Sequence, residues 1–439
     1  MTGSWWSSTE RVAVPAGGVA RGILRPPGSK SLTHRAYALA LLARAPVEVV
    51  SPLVAEDTEL FLAALETLGY GVARDEAGVR IAPRPRPPGA GRIDCGDAGT
   101  LCRFLTALVA TVPGVWELDG TPRLRERPVG PLARALRVLG VRVDCLGREG
   151  FPPLRIAGGE LAGGRVRLDA GESSQYLSAL LLAGQRAAGP IEIEVERLVS
   201  APYVELTVEM IERFGGRVER AGEGLWRAVP SELRGGAVEI EPDLSAAAYP
   251  AAAAALTGGD LVLEGVSLTS RQGDRRFLEI LGTMGASVSE SAAGVRVRGG
   301  ELVAIDDDLS DIPDQVPTLA ALAPFARGTT RIRNVAHLRI KESDRLAAMA
   351  GELRRAGAEV EERADGLVVP GVWSEREPTA GPVEIDPHGD HRIAMSMALV
   401  GLRRPNLSVR DPRVVAKSWP GFWDTLAGLL AAPSLAEPA

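Results

Sequence analysis

Five segments of this sequence share one pattern, in which an amphipathic helix is followed by a glycine, two residues and a valine. The separations between the aligned glycines are 71, 75, 70 and 72 residues; the five are Gly69, Gly140, Gly215, Gly285 and Gly357. A glycine just past a helix supplies a left-handed C-terminal cap, and valines followed by a second glycine predict a β-hairpin. Because five near-equal spacings rarely arise by chance, we predict an α/β module repeated along the chain.

Each period also has room for a further strand and helix before the shared pattern. The period exceeds that of common solenoid repeats, which favours compact pseudo-symmetric domains over a rod. The two ends lack a full copy, but a strand within 8–18 and the segment 407–430 could together form a sixth module. Six modules would make two groups of three, with one domain discontinuous in sequence.

Composition narrows the class of protein. The 439 residues suffice for two or three domains, and a net charge of −6 argues against a nucleic-acid partner. The three cysteines, Cys95, Cys102 and Cys145, are too few for a disulfide framework, which fits a reducing cytoplasm. No stretch has the length and composition of a signal peptide or a membrane span, so we expect a cytoplasmic protein without a membrane partner.

Five loops rich in glycine, serine or proline each lead into an apolar helical pattern. They begin at Pro26, Cys95, Asp169, Arg339 and Ile385. A helix N-terminus presents free N–H groups and about half a positive charge, which suits an anion. If pseudo-symmetry brings these loops to a common face, they form an electropositive cleft.

The same loops contain no recognisable nucleotide-binding or metal-binding motif. Gly28 and Lys30 lack the spacing of a phosphate-binding P-loop, and no G-x-G-x-x-G follows a strand. The cluster of His388, Asp390 and His391 has neither a third histidine nor paired cysteines nearby, so we predict no metal site.

The lysines are few and clustered. Only Lys30, Lys341 and Lys417 are present against 47 arginines, and each lies at a predicted junction of loop and helix. Lysine is a compact point charge whose pKa can shift, whereas arginine is a rigid, permanently charged fork. The four histidines lie in the same blocks, which favours a functional role over chance survival: His34, His337, His388 and His391.

Two carboxylates are candidates for proton transfer. Asp314 lies between two prolines before an apolar helix, where it could be a helix N-cap or a general base. Glu342 is flanked by Lys341 and Arg345, so it could form a salt bridge in the first helical turn or act as an acid/base.

Eight blocks taken together resemble the signature of the 5-enolpyruvylshikimate-3-phosphate synthase family. In order they are PGSKSLTHRA, GDAGTLCRFL, PRLRERPVGPL, ESSQYLSALLLA, IPDQVPTLA, LRIKESDRLAAMA, GDHRIAMSMAL and DPRVVAKSWPGFW. The resemblance implies an α/β fold of two pseudo-threefold domains, each of three βαβαββ units (an inside-out α/β barrel), with the active site in the interdomain cleft. It places the domains at 28–240 and at 1–27 plus 241–439.

The resemblance also implies an activity. The family transfers the enolpyruvyl group of phosphoenolpyruvate to the 5-hydroxyl of shikimate 3-phosphate and releases phosphate, through addition and then elimination. It is a cytoplasmic transferase of aromatic amino acid biosynthesis, and we expect a monomer that needs no cofactor. The chemistry requires a base, an acid for the methylene carbon, and cations for two phosphates and two carboxylates.

The family's residue roles carry over by block position. The catalytic groups would be Lys30, Asp314 and Glu342. Contacts to shikimate 3-phosphate would come from Lys30, Ser31, Arg35, Ser173, Ser174, Gln175, Ser200, Tyr203, Asp314, His337 and Lys341. Contacts to phosphoenolpyruvate would come from Lys30, Gly99, Arg127, Gln175, Arg345, Arg392 and Lys417. Since Gly99 is kept, we expect the phosphoenolpyruvate mimic glyphosate to inhibit.

Two other classes fit part of the pattern. The sister enolpyruvyl transferase that acts on UDP-N-acetylglucosamine carries a cysteine in the loop corresponding to residues 121–128, which here contains none. A two-lobed solute-binding protein would also close around an anion, but it would need neither Asp314 nor Glu342 and would usually carry an export signal.

We predict that Lys30→Arg keeps the fold but loses most of the turnover. A point charge with movable protons fits between two reactants, whereas a rigid guanidinium would crowd the attacking hydroxyl. Steady-state kcat of the folded variant is the measurement. A kcat close to that of the unsubstituted enzyme would contradict this role for Lys30.

Overall fold

The computed structural model describes residues 9–83, 88–378 and 380–431. The helices are α1 (Lys30–Leu42), α2 (Glu56–Thr67), α3 (Gly99–Leu108), α4 (Gly130–Val138), α5 (Gln175–Ala183), α6 (Ala201–Arg213), α7 (Leu244–Thr257), α8 (Arg276–Thr283), α9 (Val316–Leu322), α10 (Arg345–Arg355), α11 (Val372–Glu375), α12 (His391–Gly401) and α13 (Phe422–Ala431). Within these described ranges, no helix combines the length and the apolar character needed to cross a membrane.

The strands lie before and between these helices, singly or in runs of up to three. They are β1 (Arg11–Ala13), β2 (Arg21–Leu24), β3 (Val47–Val50), β4 (Gly71–Arg74), β5 (Gly78–Ala82), β6 (Gly89–Asp94), β7 (Gly114–Asp119), β8 (Arg142–Cys145), β9 (Leu154–Gly158), β10 (Gly164–Ala170), β11 (Ile191–Leu198), β12 (Arg217–Gly222), β13 (Leu225–Val229), β14 (Gly236–Glu239), β15 (Asp260–Glu264), β16 (Ser287–Ser291), β17 (Gly294–Arg298), β18 (Asp306–Asp308), β19 (Thr329–Arg333), β20 (Glu361–Arg363), β21 (Gly366–Pro370), β22 (Val383–Ile385) and β23 (Leu407–Arg410).

The chain divides into two compact units. The continuous unit is Gly28–Glu241, and the discontinuous unit is Met1–Pro27 with Pro242–Ala439. Each unit has a hydrophobic core made of its own residues.

The continuous unit contains three sheets of the same design. Their strand orders are β14-β3-β5-β4, β6-β7-β9-β8 and β10-β11-β13-β12. In each sheet the first two strands are parallel, and the last two form an antiparallel hairpin. A parallel pair needs a crossover, and a helix supplies it in the sheets that begin with β6 and β10, which are continuous βαβαββ units. In the remaining sheet β14, from the end of the unit, takes the place of the first strand before α1 and β3.

The discontinuous unit repeats this design. Two of its sheets have the orders β2-β15-β17-β16 and β18-β19-β21-β20, and the third has the order β1-β23-β22. In the third sheet β1, near the N-terminus, runs antiparallel to β23, with Arg11 opposite Arg410. The prediction that both ends of the chain build a sixth module is therefore confirmed.

The five aligned glycines all adopt the left-handed backbone conformation. Their φ angles lie between +81° and +112°. They follow α2, α4, α6, α8 and α10, and each precedes one of the hairpins. The predicted turn from helix to hairpin is confirmed, because glycine enters this region without the steric cost of a Cβ atom.

Three helices in each unit form its centre. In the continuous unit α1, α3 and α5 contact one another, and in the discontinuous unit α7, α9 and α12 do so. Most residues of these helices are buried, which explains why their sequences are apolar on every side. The five predicted loops end where α1, α3, α5, α10 and α12 begin, so these helix starts are confirmed.

We predict different costs for two glycine-to-alanine substitutions in the repeated turns. At Gly140, with φ +85°, an added Cβ meets no atom within 4 Å, so Gly140→Ala should lower the free energy of unfolding by only about 1 kcal/mol of backbone strain. At Gly285 the Cβ would lie 2.3 Å from the carbonyl oxygen of Glu301, so Gly285→Ala should cost at least twice as much. Urea denaturation measures both.

The control for this comparison is Gly351, in the interior of α10. A Cβ there also meets no atom within 4 Å, and the backbone is helical. Gly351→Ala should therefore stabilise the protein by about 0.5–1 kcal/mol. Equal losses at Gly140 and Gly285 would contradict the proposed difference between strain and steric overlap.

Candidate active-site residues

The centre of the candidate site in the discontinuous unit is a buried guanidinium. Arg345 begins α10, and only 2% of its side chain is exposed. Its Nη1 donates to Asp314 Oδ1 at 2.9 Å, its Nη2 to Glu342 Oε2 at 2.8 Å, and its Nε to Asp390 Oδ2 at 2.8 Å. Since a buried charge is stable only when paired, the three carboxylates fix the position of this group.

Asp314 lies between two arginines. Its second carboxylate oxygen accepts a hydrogen bond from Arg392 Nη2 at 2.7 Å. Burial opposes ionisation of this group, but the charges of Arg392, Arg345 and Lys341 outweigh burial and hold the pKa of Asp314 well below its usual range. The side chain caps no helix: Asp314 is in the short 3-10 helix Pro313–Gln315, and its carboxylate binds side chains.

Asp390 organises the start of α12. Its carboxylate accepts from the backbone N–H of Arg392 at 2.9 Å as the N-cap of that helix, and from Ser343 Oγ at 3.0 Å. Because the carboxylate of Asp390 also accepts a hydrogen bond from Arg345, it holds both arginines, Arg345 through its side chain and Arg392 through its backbone N–H. The His388/Asp390/His391 cluster considered for metal is thus built around hydrogen bonds of Asp390, and His388 contacts Glu352 instead.

The remaining predicted residues of this unit lie beside the cluster. Burial, together with the charge of Lys341, lowers the pKa of His337 to about 4, so its imidazole is neutral at physiological pH. Its Nε2 has no hydrogen-bond partner among the described residues. Lys417 ends the 3-10 helix Pro412–Lys417, which packs against α12. The buried hydroxyl of Tyr249, which sequence analysis missed, lies 3.5 Å from Arg392 Nη1.

In the continuous unit, Lys30 is the first residue of α1 and is mostly buried. Its Nζ donates to Asp57 Oδ2 at 3.2 Å. One helical turn later, His34 is fully buried, and neither ring nitrogen has a hydrogen-bond partner among the described residues. Burial lowers the pKa of His34 to about 4 despite the nearby carboxylate of Asp57. Sequence analysis did not single out Asp57, which lies in an ordinary acidic first turn of α2.

Gly99 is the first residue of α3 and lies against the guanidinium of Arg127. A Cβ atom at this position would lie 2.5 Å from Arg127 Nη2 and 2.6 Å from Arg127 Cζ. Arg127 also donates to the carbonyl oxygen of Asp97 at 3.1 Å. The structure therefore brings together Gly99 and Arg127, two residues predicted to contact phosphoenolpyruvate, and a side chain at position 99 would displace the guanidinium.

Gln175 is held at the start of α5 by residues of α3. Its Oε1 accepts from Arg103 Nη1 at 2.9 Å, and its Nε2 donates to Thr100 Oγ1 at 2.8 Å. The predicted residues Ser173 and Ser174 are buried just before it. Arg103 is a residue that sequence analysis missed as a partner, because only the packing of α3 against α5 reveals the pair.

Arg35 is engaged by neutral oxygen atoms rather than by carboxylates. It donates to Ser31 O at 2.8 Å, Tyr203 O at 2.6 Å and Thr207 Oγ1 at 2.9 Å. Burial lowers the pKa of Arg35 to about 10, which still leaves it charged at neutral pH. These bonds join Ser31 and Tyr203, two residues predicted to contact the substrate. Ser200, another predicted contact, comes directly before α6 and has a left-handed φ of +53°.

Comparison with known proteins first establishes the class of fold. A solved structure of EPSP synthase from Acinetobacter baumannii matches with a TM-score of 0.77 and 30% sequence identity, and the match covers 94% of this chain and 97% of that chain. A second structure of EPSP synthase from the same organism matches with a TM-score of 0.76 at 29% identity. The predicted two-domain α/β fold with three βαβαββ units in each domain is confirmed.

Sequence comparison then identifies the family. Residues 15–426 match the family model of EPSP synthase (3-phosphoshikimate 1-carboxyvinyltransferase). A 3-phosphoshikimate 1-carboxyvinyltransferase of Syntrophobacter fumaroxidans is 47% identical, with 92% of this chain and 96% of the relative covered, and one of Methanoculleus marisnigri is 43% identical over 92% and 95%. The chain belongs to the EPSP synthase family, and the predicted transferase of the shikimate pathway is confirmed.

We predict that Asp314→Asn destabilises the discontinuous unit in a pH-dependent way. The substitution replaces the carboxylate that two buried guanidinium groups share by a neutral amide, at a cost of about 1.5–3 kcal/mol at pH 7 for the weakened charge-assisted hydrogen bonds. Because the folded-state pKa of Asp314 is depressed, the lost stabilisation is fully present above the ordinary aspartate pKa of about 4 and declines as the pH falls below it.

Differential scanning calorimetry from pH 3 to pH 8 measures this difference. Asp306→Asn is the control, since Asp306 forms a half-exposed pair with Arg333 that should contribute little. A destabilisation by Asp314→Asn that grows as the pH falls would contradict the assignment.

Proposed function

We propose that the candidate residues of both units act on one pair of substrates, phosphoenolpyruvate and shikimate 3-phosphate, and that they transfer the enolpyruvyl group between them. The observation that carries this proposal is the cluster of Arg345, Asp314 and Arg392, in which two cations that can grip an anion flank a carboxylate that can accept a proton. Family membership supports the substrates, and the geometry of the cluster supports the roles.

Phosphoenolpyruvate is the substrate proposed for the arginine-rich groups. Arg127, Arg345, Arg392 and Lys417 would bind its phosphate and carboxylate, because guanidinium groups pair with both in a bidentate manner. Gly99 leaves room for Arg127, and Gln175 would contact the same substrate. The start of α3 at Gly99 adds backbone N–H groups of the kind that bind anions.

Shikimate 3-phosphate is the substrate proposed for the hydroxyl-rich groups. Ser173, Ser174 and Ser200 would bind its phosphate, aided by Gln175 and Tyr203. Ser31 and Arg35 near the start of α1 would bind the shikimate ring substituents, together with His337 and Lys341. The neutral partners of Arg35 support this role, since they leave its charge uncompensated for an anionic ligand.

The electrostatics of Asp314 imply an order of events. A carboxylate whose pKa is strongly depressed is a weak general base. When phosphoenolpyruvate binds to Arg345 and Arg392, its negative charge offsets theirs, and the pKa of Asp314 rises toward the range needed for proton transfer. The base would thus be activated only when the second substrate is present, which protects the enzyme from unproductive proton transfer.

The chemical steps then balance as follows. Asp314 accepts the proton of the 5-hydroxyl while the hydroxyl oxygen attacks C2 of phosphoenolpyruvate, and the methylene carbon C3 receives a proton from the carboxyl group of Glu342. Lys30 would lie near the forming bond as a point charge. In the elimination step C3 returns a proton to Glu342, the double bond between C2 and C3 forms again, and the bond from C2 to the phosphate oxygen breaks. Inorganic phosphate leaves with the electron pair of that bond.

The proposal also covers cofactors, oligomeric state and location in the cell. Acid–base groups and cations of the chain suffice for this chemistry, so no cofactor or metal is required. One chain supplies both residue sets, which supports a monomer. The free thiols of Cys95, Cys102 and Cys145 fit a reducing cytoplasm, and the net negative charge fits small-molecule partners rather than nucleic acid or a membrane surface.

A phosphate-release assay tests the function directly. The full chain is supplied with phosphoenolpyruvate and either shikimate 3-phosphate or UDP-N-acetylglucosamine. We expect phosphate release when the acceptor is shikimate 3-phosphate and none when it is the nucleotide sugar. Phosphate release with the nucleotide sugar, or no release with either acceptor, would overturn the proposal. Reactions of Asp314→Asn and Glu342→Gln are quenched with acid, and the amount of tetrahedral adduct is measured in each. A variant that accumulates the adduct has lost the carboxylate needed for the elimination step.

We predict that Gly99→Ala raises KM for phosphoenolpyruvate by about tenfold or more and weakens competitive inhibition by glyphosate. The new methyl group would overlap the guanidinium of Arg127 and displace it, which removes a charge-assisted hydrogen bond of about 1.5–3 kcal/mol. KM for shikimate 3-phosphate should change less than twofold.

The matched control is Gly282→Ala in α8, where a Cβ meets no atom within 4 Å. Its kinetics should equal those of the unsubstituted enzyme. If Gly99→Ala left KM for phosphoenolpyruvate unchanged, Arg127 would have no role in binding that substrate.

A further inference from the structure

We propose that Glu352 is a positioning residue for phosphoenolpyruvate binding, because it anchors the loop 386–390 from which Asp390 orients Arg345 and Arg392. This inference rests on the proposed function, in which those two arginines bind phosphoenolpyruvate. Glu352 itself lies on α10, two turns after Arg345 and roughly 10 Å along the helix axis.

Glu352 is a buried carboxylate that the reaction does not use. Its side chain is only 2% exposed, and both of its oxygens are engaged. Oε2 accepts from the backbone N–H of Asp386 at 3.2 Å, and Oε1 lies 3.1 Å from His388 Nε2. Burial of a carboxylate is costly unless hydrogen bonds compensate it, so these two contacts to the loop account for its place in the core.

The loop and the helix hold each other at two points. Toward the C-terminal end of α10, Glu352 accepts hydrogen bonds from Asp386 and His388 of the loop. At the N-terminal end of α10, Arg345 donates to Asp390 of the loop. Of the two carboxylates in these contacts, Glu352 belongs to α10 and Asp390 belongs to the loop. The loop therefore cannot shift along α10 without breaking at least one of the contacts. Because Asp390 also caps α12, the position of the loop sets that of Arg392.

The backbone of the loop needs this support. His388 has φ +52° and Gly389 has φ +68°, so two successive residues adopt the left-handed conformation. For His388, which is not glycine, this conformation is strained and persists only where neighbouring contacts enforce it. The bond to Glu352 is such a contact, and the N–H of His388 adds a second one to Asp386 Oδ1 at 2.8 Å.

Glu352 also forms an ion pair that does not involve the loop. Arg355 Nε, on the same helix, lies 3.1 Å from Glu352 Oε2, and the side chain of Arg355 is 56% exposed. This pair compensates part of the charge of Glu352 but does not hold the loop against α10. The pair therefore provides a control, because Arg355→Ala removes a charge from Glu352 while both loop contacts stay in place.

The test compares Glu352→Ala, Glu352→Gln and Arg355→Ala in the full chain by steady-state kinetics with each substrate varied. Glu352→Ala should raise KM for phosphoenolpyruvate about tenfold, which corresponds to the loss of about one buried hydrogen bond, while KM for shikimate 3-phosphate changes less than twofold. Glu352→Gln should restore KM for phosphoenolpyruvate to within about threefold, since an amide can still accept from Asp386 and can donate to the other tautomer of His388. Arg355→Ala should match the unsubstituted enzyme.

Other outcomes overturn the inference. An unchanged KM for phosphoenolpyruvate in folded Glu352→Ala excludes a positioning role. Equal rises in both KM values indicate general structural damage instead. If Glu352→Ala does not fold, His388→Ala removes one of the two loop contacts on its own, and it should raise KM for phosphoenolpyruvate alone by about threefold; no change there would equally overturn the inference.

A further variant separates this inference from the proposed function. Arg392→Gln should raise KM for phosphoenolpyruvate strongly if that substrate binds at the arginine cluster. No effect of Arg392→Gln would refute the proposed site, and this inference with it. A strong effect of Arg392→Gln combined with no effect of Glu352→Ala would refute the role of Glu352 alone.

Discussion

A chain can pass from a helix into a hairpin within a few residues only if one residue takes a positive φ, and glycine does so at least cost. This constraint recurs at five aligned glycines, each of which ends a helix and directs the chain into an antiparallel hairpin. Since the turn has the same geometry each time, each helix meets its hairpin in the same way. The repeated βαβαββ architecture follows from this local requirement and from the burial of one helix of each repeat.

The buried central helices determine where polar chemistry can lie. Helices such as α3 and α12 are enclosed on all sides, so side chains along their length are mostly apolar. Polar and charged groups are stable where the helices begin, because free N–H groups and the helix dipole are available there. Lys30, Gly99, Gln175 and Arg392 all lie at or next to such helix starts. The location of the candidate residues is thus a consequence of how each unit packs its own central helices.

The two units solve the problem of burying cations in different ways. In the discontinuous unit, Arg345 and Arg392 are compensated by the carboxylates of Asp314, Glu342 and Asp390, so an anionic ligand must compete with groups already present. In the continuous unit, Arg35 is held by neutral oxygen atoms, which position its charge without cancelling it. The first arrangement pairs the cations with carboxylates, and the second holds a cation without a carboxylate partner among the described residues.

The sequence by itself determined the repeat, the left-handed turns and the starts of the central helices, because each depends on residues close together in the chain. The assembly of a module from both chain ends joins distant residues, and it followed instead from the number of complete copies in the repeat. It also marked Lys30, Lys341 and Lys417 by their rarity, whereas most other candidate residues came from the resemblance of whole blocks to a known family. Only the tertiary structure decided the partners: Asp57 for Lys30, Arg103 for Gln175, Asp390 for two arginines, and Glu352 for the loop before α12. Apart from Asp390 and Arg392, which are two residues apart, these pairs join positions 27 to 72 residues apart. An acidic residue that will pair with a buried cation has the same local sequence as one on a solvated surface, and only the packing of distant segments distinguishes the two.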